Sequence, residues 1–381
     1  MSTVSVIIPS YNHGKYIAEA IQSVLDQTLQ DFEIIITDDA SADNTVEVIE
    51  KFTDPRIQLF CLSKNQGVSR ALDFSIAKAK GKYIALLGSD DIAMSERLEK
   101  QVAFLDTHHE VGAVLSRAHI IDEESRPFAN KDHFYYSIFD QPNRTRFEWL
   151  NYFFYHGNCL CAPSGLIRKS VYEKIGGHNP CYLQLQDFDF WIRLCFNFEL
   201  YVLEDKLIQY RVRDNGMNVS SGRLENQIRS DWEYKHSIQR FFNISSLDEL
   251  LKIFPELKNH YNDFTDALIP FYLAMLCLEA KSEHLVFPAV EALYNLLQNS
   301  PDPLLEKVNF SCPDFFKLVA SFDVFCHQIR SEKKKLQQEK EVLQHENTKL
   351  TQEKNLLLNS ISWKITQPLR RIKSLLSRDY A

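Results

Sequence analysis

Acidic side chains occur in adjacent pairs at two places where a run of apolar residues ends. Asp38-Asp39 follows one such run and Asp90-Asp91 follows another. Two neighbouring carboxylates repel each other unless a cation or hydrogen-bond donors lie against them, and hard divalent cations prefer oxygen ligands of this kind. The pairs therefore predict a divalent-cation site at one or both places. The structural alternative is that they cap the helices that follow.

A third acidic segment lies further along the chain, in the stretch Gln186-Asp187-Phe188-Asp189-Phe190-Trp191-Ile192. Its aromatic and aliphatic residues recur at three- and four-residue spacing, which predicts an amphipathic helix. A carboxylate held on such a helix can accept a proton from a reacting hydroxyl group. Taken alone, the block is equally well explained as a structural helix with buried aromatic side chains.

The elements that position these acids alternate along the first hundred residues. Runs typical of strands buried on both faces cover residues 4–9, 32–37, 57–62 and 83–87, and apolar residues recur at helical spacing between them. This order predicts an α/β fold with a parallel sheet and right-handed crossovers. Because ligands bind beyond the carboxyl ends of the strands in such sheets, both acidic pairs lie where a ligand would bind.

Charge and glycine patterns exclude several classes of protein. A net charge of -8 argues against a nucleic-acid binder, which usually carries a basic face. The sequence contains neither the GxGxxG fingerprint after the first strand nor a P-loop. A phosphate-bearing ligand therefore needs another source of positive charge, and a metal ion at Asp91 and the side chain of Arg70 are the candidates.

Three segments together resemble glycosyltransferase family 2. They are VSVIIPSYNHGKYIAEAIQSVLDQT from Val4, DFEIIITDDASADNT from Asp31 and NQGVSRALDFSIAKAKGKYIALLGSDD from Asn65. Their order and spacing agree with the family, and the similarity covers roughly residues 3 to 215, a little over half of the chain. The resemblance implies the GT-A fold, which is a Rossmann-like, mainly parallel sheet flanked by helices that binds a nucleotide sugar.

The resemblance also assigns roles to individual residues. It implies that Asp90 and Asp91 form the family's DXD-type element and that Asp91 binds Mn²⁺ or Mg²⁺ against the diphosphate of the donor. Gly88 stands where many members have another Asp, so the metal site would depend mainly on Asp91, and a metal-free enzyme stays an alternative. The nucleotide-sugar contacts that the resemblance implies are Pro9, Tyr11, Asp39, Arg70 and Asp90.

The segment around Asp187 resembles the family's ED block, with Gln186 in place of the usual Glu. The resemblance implies that Asp187 is the catalytic base. In that mechanism an acceptor hydroxyl attacks the anomeric carbon from the face opposite the departing nucleotide diphosphate and inverts its configuration. Residues 210–213 resemble the element that closes over the diphosphate, with Arg213 in place of a His.

We divide the chain into a GT-A domain (residues 1–222), a helical domain (223–329), a coiled coil (330–359) and a basic amphipathic tail (360–381). Leucines recur every seven residues in the third part, which predicts a coiled-coil seam and a homo-oligomer; a solitary helix is the alternative. The seam residues are Leu336, Leu343, Leu350 and Leu357. In the helical domain we expect breaks at Pro255, Pro270, Pro288, Pro301 and Pro313.

The tail combines basic residues with an apolar helix face and resembles a short element at the ends of many bacterial cell-surface-glycan enzymes. Such a helix predicts contact with an anionic membrane surface, and docking on the enzyme itself is the alternative. The first residues lack the pattern of a signal peptide. We therefore expect a cytoplasmic protein that contacts the inner face of the cytoplasmic membrane.

These features together predict an inverting, metal-dependent glycosyltransferase of the hexosyltransferase type. Its donor would be a nucleotide-diphosphate sugar, most simply UDP-linked, and its acceptor a glycan or lipid-linked precursor of a surface polysaccharide such as O-antigen or capsule. One alternative is a sugar nucleotidyltransferase, which needs no base such as Asp187. The other is a catalytically idle scaffold of a polysaccharide-assembly complex, which the presence of Asp39, Asp91 and Asp187 together disfavours.

Overall fold

The computed structural model describes residues 2–213, 223–280, 282–299, 305–322, 327–360, 364–368 and 370. The chain forms two compact units, Met1–Ser311 and Cys312–Ala381. The first unit therefore contains the expected GT-A domain together with most of the expected helical domain. The expected boundary at residue 222 lies outside the described residues, and the four-part division stays a prediction.

Among the described residues, eight strands form one sheet. In chain order they are β1 (Val4–Ser10), β2 (Phe32–Asp38), β3 (Ile57–Cys61), β4 (Tyr83–Leu86), β5 (Ile92–Ala93), β6 (Val111–Ile121), β7 (Leu166–Arg168) and β8 (Glu199–Arg211). Across the sheet, neighbours follow the order β3-β2-β1-β4-β7-β6-β8-β5. The four strands expected from the sequence are confirmed to within one residue at each end.

The first half of the sheet is parallel, as expected. β1 pairs in parallel with β2 and β4, and β2 pairs in parallel with β3. All residues of β2 are buried, so both of its faces are covered, which agrees with the three consecutive isoleucines at its centre, Ile34, Ile35 and Ile36. The carboxyl ends of β1, β2 and β4 lie along one edge, and each leads into a polar segment.

The second half adds antiparallel strands to a sheet whose pairings are mainly parallel. β7 runs antiparallel to both β4 and β6, and β5 runs antiparallel to β8, whereas β6 and β8 are parallel. The sheet is therefore mixed. β5 and β7 have only 2 and 3 residues, which is too few for an alternation of apolar and polar residues to be recognised in the sequence.

Twelve described helices belong to the first unit. They are α1 (Ile17–Leu25), α2 (Thr45–Ile49), α3 (Val68–Lys78), α4 (Arg97–Thr107), α5 (Tyr135–Ile138), α6 (Arg146–His156), α7 (Lys169–Ile175), α8 (Gln186–Cys195), α9 (Leu224–Ile238), α10 (Leu247–Ile253), α11 (Ile269–Glu279) and α12 (Glu283–Asn299). The predicted break at Pro288 is wrong, because this residue lies inside α12. Pro270 occupies the first turn of α11, where its missing N–H leaves no hydrogen bond unmade. Pro301 lies outside the described residues.

The second unit contains α13 (Cys312–Ser321) and the long helix α14 (His327–Asn359). The four seam leucines of α14 are about two-thirds exposed, and the coiled coil stays a prediction because it needs a second helix. Most of the expected amphipathic tail lies outside the described residues. Within the described part of the chain, no helix combines the length and apolar character required to span a bilayer.

Candidate active site

One cavity of about 260 Å³ lies beside the carboxyl ends of β1 and β4 and collects most of the predicted site residues. Its polar lining residues are His13, Asp90, Asp91, Gln184, Gln186, Asp187 and Arg213, and Pro9, Val68, Leu72, Leu183 and Tyr210 contribute apolar surface. A second opening of about 510 Å³ lies at the amino ends of the same strands, between Lys80 and Lys169. We place the candidate site in the first cavity, because ligands of such sheets bind at the carboxyl edge.

Asp187 lies in the first turn of α8 and is largely enclosed. Its Oδ2 accepts a hydrogen bond of 2.8 Å from Nδ2 of Asn158. The amide of Asn158 is oriented by the backbone N–H of Leu160, which donates to its Oδ1. Burial raises the pKa of the Asp187 carboxyl above its ordinary value, and the hydrogen bond from Asn158 opposes that rise. The result is a carboxylate that is more basic than one in water and is held in a single orientation.

The approach of Asn158 to Asp187 depends on how α6 ends. α6 begins at a capping box formed by Thr145 and Glu148 and ends before Gly157, whose φ is +77°. A residue with a side chain rarely adopts this backbone conformation, so glycine is required for the chain to turn here. The turn places Asn158 immediately beyond the helix, against the start of α8.

Asp91 is 3% exposed and lies in the loop between β4 and β5. Its Oδ1 accepts a hydrogen bond of 2.9 Å from the backbone N–H of Arg211, at the end of β8. Burial raises the pKa of the Asp91 carboxyl well above its ordinary value, and the neighbouring charge of Asp90 adds to the rise. A bound cation would reverse this effect, because it favours the charged carboxylate.

Gly88 is packed against the carboxylate of Asp91. A Cβ atom at position 88 would lie 2.4 Å from Oδ2 of Asp91, closer than non-bonded atoms approach. The Asp that many family members have at position 88 would not fit here without a shift of Asp91, because the carboxylate of Asp91 occupies the space that its side chain would need.

Asp91 and Asp187 act on one common neighbour, the buried thiol of Cys161. Burial raises the pKa of this thiol, and the carboxylates of Asp91 and Asp187 both add to the rise. Because such electrostatic effects fall off with distance, this agrees with the two acids lining the same cavity.

Asp90 pairs with Arg213 and lies close to His13 at the cavity. Its Oδ2 lies 3.4 Å from Nε of Arg213 and 3.9 Å from Nε2 of His13. Nδ1 of His13 contacts the Ser89 hydroxyl at 2.6 Å. Burial lowers the pKa of His13 below its ordinary value, and Asp90 opposes that change. Arg213 thus brings a positive charge to the cavity although it replaces the family's His.

The guanidinium of Arg211 is instead a buried structural group. It donates to the backbone oxygens of Asp90 and Asp122 and to Oε2 of Glu19. Arg211 therefore fixes the loop that carries Asp90 and Asp91 against the end of β8, and it does not line the cavity.

Asp39 does not line the cavity but fixes one of its walls. Its two carboxylate oxygens accept hydrogen bonds of 2.7 and 2.8 Å from the backbone N–H groups of Gln66 and Gly67, which precede α3. Val68, the next residue, lines the cavity. Neither Asp38 nor Asp39 caps α2: Asp38 binds Ser41, and Asp43 accepts from the N–H of Thr45.

The remaining predicted residues are divided between the cavity and its surroundings. Pro9 lines the cavity, whereas Tyr11 and Arg70 are absent from its described lining. Tyr11 is 46% exposed, and Arg70 is exposed on the first turn of α3. Gln186 lines the cavity, and its buried Oε1 accepts no hydrogen bond from the described residues. The structure therefore brings Pro9, Asp90, Asp91 and Asp187 together in one cavity, and the other three predicted residues do not line it.

His13 and Asn158 are the site residues that the sequence did not indicate. His13 directly follows the polar segment after β1, so its position was a signal that could have been used. Asn158 belongs to no recognisable motif, and it reaches Asp187 across 29 residues of chain, so only the folded structure reveals the contact.

The acids of the site fit a divalent cation only if the ligand supplies further oxygens. Among the described residues, no group of three or more His, Cys, Asp and Glu side chains could hold a metal ion. Magnesium is commonly bound through one or two carboxylates together with phosphate oxygens and water. Asp91 could serve as such a carboxylate, because its Oδ1 is fixed by a backbone N–H and its Oδ2 projects over Gly88.

Comparisons with known proteins identify the family of the chain. The sequence model of the glycosyl transferase family 2 matches residues 5–176. An uncharacterized glycosyltransferase of Methanocaldococcus jannaschii is 30% identical over 219 residues, which cover 56% of this chain and 72% of that protein. A Bacillus subtilis protein named as a teichuronic acid biosynthesis glycosyltransferase, TuaG, is 41% identical over 104 residues, 27% of this chain and 41% of that protein.

Solved structures share the fold. Residues 1–349 of S. aureus TarS in complex with UDP superpose with a TM-score of 0.51 at 20% identity and cover 78% of this chain and 89% of that chain. The corresponding complex with UDP-GlcNAc gives a TM-score of 0.51 at 22% identity, with 80% and 83% covered. At this identity the comparison establishes the fold.

Proposed function

The chain belongs to glycosyltransferase family 2, and on that basis we propose that it is an inverting enzyme that transfers a sugar from a UDP-linked donor to a glycan or lipid-linked acceptor. The name of TuaG supports a bacterial cell-surface polysaccharide as the product, and the UDP and UDP-GlcNAc complexes of TarS support UDP as the nucleotide. The observation that carries the proposal is that Asp91 and Asp187 line one cavity.

Asp187 is the proposed catalytic base. A new bond forms between the acceptor oxygen and the anomeric carbon while the bond from that carbon to the diphosphate oxygen breaks, and the hydroxyl proton passes to Oδ1 or Oδ2 of Asp187. Its raised pKa makes the carboxylate a better proton acceptor, and the hydrogen bond from Asn158 keeps it in one orientation.

Asp91 is the proposed ligand of Mn²⁺ or Mg²⁺. Such an ion, when bound, would neutralise the negative charge that develops on the departing diphosphate. The chain contributes the position of the carboxylate through the backbone N–H of Arg211. It also contributes Arg213, whose guanidinium lies beside Asp90 at the same cavity and can attract a phosphate group.

The nucleoside contacts are proposed for Pro9, Tyr11, Asp39 and Arg70. Asp39 already accepts two backbone hydrogen bonds, but an ionised carboxylate has about four acceptor positions and can accept a further one from a base. Tyr11 is exposed beside Pro9 and offers a ring face for stacking. Pro9 lines the cavity and Asp39 fixes one of its walls, which supports a nucleoside that extends towards them from a diphosphate inside the cavity.

We further propose that α14 pairs with a second copy and that the tail contacts an anionic membrane. The exposed leucines of α14 support the first proposal. Liposome flotation of the chain with and without residues 360–381 tests the second; equal partitioning of the two would contradict it.

The experiment that tests the function is a screen of nucleotide sugars for release of the nucleoside diphosphate, with and without Mn²⁺. We expect turnover with one UDP-sugar, raised by the metal and by an acceptor glycan. Release of pyrophosphate from a nucleoside triphosphate and a sugar phosphate would instead favour the nucleotidyltransferase. Absence of turnover with every donor would favour the scaffold.

A further inference from the structure

A single carboxylate from the helical region binds three successive backbone amides beside the candidate site. Glu233 lies on α9 and is 1% exposed. Its Oε1 accepts from the N–H of Leu183 at 2.9 Å, and its Oε2 accepts from the N–H groups of Gln184 and Leu185 at 2.8 and 2.7 Å. A buried carboxylate with this many short hydrogen bonds fixes the backbone that donates them.

These amides immediately precede α8. The first N–H groups of a helix have no partner within the helix, and they are usually bound by a side chain at the N-cap. The N-cap of α8 is Leu185, whose side chain cannot accept a hydrogen bond. Glu233 instead binds the N–H group of this N-cap residue and those of the two residues before it, so it holds the segment that enters the helix, and its negative charge lies where the helix dipole favours it.

The segment that Glu233 holds carries the candidate chemistry. Leu183 and Gln184 line the cavity, and Asp187 follows Leu185 by two residues. A shift of this segment would therefore move the carboxylate of Asp187 and the neighbouring wall together.

A second contact from α9 acts on the same region. The ring of Tyr234 is parallel to that of Phe188, with centroids 5.6 Å apart, and its hydroxyl donates to the backbone oxygen of Phe154 in α6. α6 leads to Asn158, the hydrogen-bond partner of Asp187. α9 thus holds the start of α8, which carries Asp187, and the last turn of α6, which leads to its partner Asn158.

We propose that Glu233 is a positioning residue for the transfer reaction: by binding the amides of residues 183–185 it fixes Asp187 and the adjacent cavity wall, so the helical region completes the active site. This inference rests on the proposed function for the role of Asp187. It assigns that region a part in catalysis rather than packing alone.

The test compares Glu233→Gln with Glu225→Gln, which removes an exposed carboxylate from the same helix. The amide group of Gln cannot accept from all three N–H groups, so we expect hydrogen exchange of residues 183–188 to be about tenfold faster, the equivalent of one lost hydrogen bond.

The turnover of Glu233→Gln should fall at least about tenfold, while its Kd for UDP changes by less than about twofold. The acid limb of the kcat–pH profile should move to lower pH, because water admitted to Asp187 reduces the effect of burial on its pKa.

The control should match the unaltered chain in all four measurements. If Glu233→Gln fails to fold, as judged by loss of UDP binding, Glu233→Asp keeps the charge but withdraws it from the amides and should give the same pattern. Unchanged exchange, or faster exchange with an unchanged kcat and pH profile, would overturn the positioning role and leave the proposed function intact. Absence of transfer by the unaltered chain would overturn the proposed function, and the exchange result would still report whether Glu233 holds the segment.

Discussion

At the scale of single residues, the two central carboxylates are held in different ways. Asp187 receives a side-chain hydrogen bond from Asn158, whereas Asp91 receives a backbone hydrogen bond from Arg211. Both are buried enough that their pKa values rise. For a general base the rise is useful, because proton affinity increases, and for a metal ligand the bound ion would counteract it.

The pH dependence of turnover should report the environment of Asp187. The base acts only when ionised, so kcat should fall as the pH falls through its raised pKa. In Asn158→Ala the hydrogen bond that favours the ionised form is lost, so the pKa rises further and the acid limb of kcat moves to higher pH. Asn243→Ala, an exposed change outside the cavity lining, should leave the profile unchanged. An acid limb that stays in place in Asn158→Ala would contradict this account.

Gly88 should be required for metal binding. In Gly88→Ala the new methyl group forces the carboxylate of Asp91 to move. We expect the affinity for Mn²⁺, measured by calorimetry in the presence of UDP, to fall about 10- to 100-fold, as for other changes beside a metal ligand. Binding of UDP without metal serves as the control and should be unchanged. Equal Mn²⁺ affinities of the two chains would show that Asp91 does not depend on Gly88.

Residue types in a motif are predictable from the sequence, whereas their partners are not. Asp91 and Asp187 are predictable because their segments resemble motifs of glycosyltransferase family 2, and the structure brings both to one cavity. Glu233 and Asn158 were missed because each acts across a gap of about 29 to 50 residues on a group that only the fold brings close. No local pattern marks such a residue.

At the scale of elements, α8 is joined to the helical region by a buried carboxylate. Asp189 is fully buried, and it pairs with Arg193 on its own helix and with Arg240 in the 3₁₀ helix Gln239–Asn243. Removal of one partner from a buried ion pair leaves uncompensated charge. This carboxylate therefore contributes to stability rather than to chemistry.

Asp189→Asn should lower the free energy of unfolding by about 3 kcal/mol, because two guanidinium groups lose their counter-charge. Urea denaturation followed by tryptophan fluorescence measures the change. Asp132→Asn, at an exposed position, is the matched control and should differ from the unaltered chain by less than about 0.5 kcal/mol. A loss at Asp189 no larger than that of the control would show that the pair is not stabilising.

The predictability of an element depended on its length and on the strength of its pattern. The strands β1 and β2 contain consecutive β-branched apolar residues and are predicted from the sequence, whereas β5 and β7 depend on tertiary pairing and are not. The sequence predicts a break at Pro288 because proline disfavours helix interiors, yet α12 continues through this residue. Most of the apolar residues near Pro288 are buried, which favours the continuous helix.

At the scale of the whole molecule, the strand-rich part and helices α9 to α12 belong to one compact unit, and α14 belongs to another. The contacts of Glu233 and Asp189 explain why the helical region is part of the first unit. The seam leucines of α14 are exposed in a single chain. Burying them against a second copy would remove apolar surface from water.

Self-association should therefore depend on α14. We expect light scattering to give a multiple of the 44.4 kDa chain mass for the full chain and a monomer for a chain that lacks residues 332–359. The full chain with Leu343→Lys and Leu350→Lys is a milder variant that keeps the helix and should also be monomeric. If the full and shortened proteins contain the same number of chains per particle, the proposal is wrong.

The most direct test of the central claim, that Asp187 receives the proton in a cavity shared with Asp91, is the transfer rate of Asp187→Asn measured beside its affinity for the donor. The amide keeps the shape of the side chain but cannot accept the proton, so the rate should fall by about 10²- to 10⁴-fold while the Kd for the UDP-sugar stays within about twofold. Near-normal turnover by Asp187→Asn with an intact Kd would contradict the account.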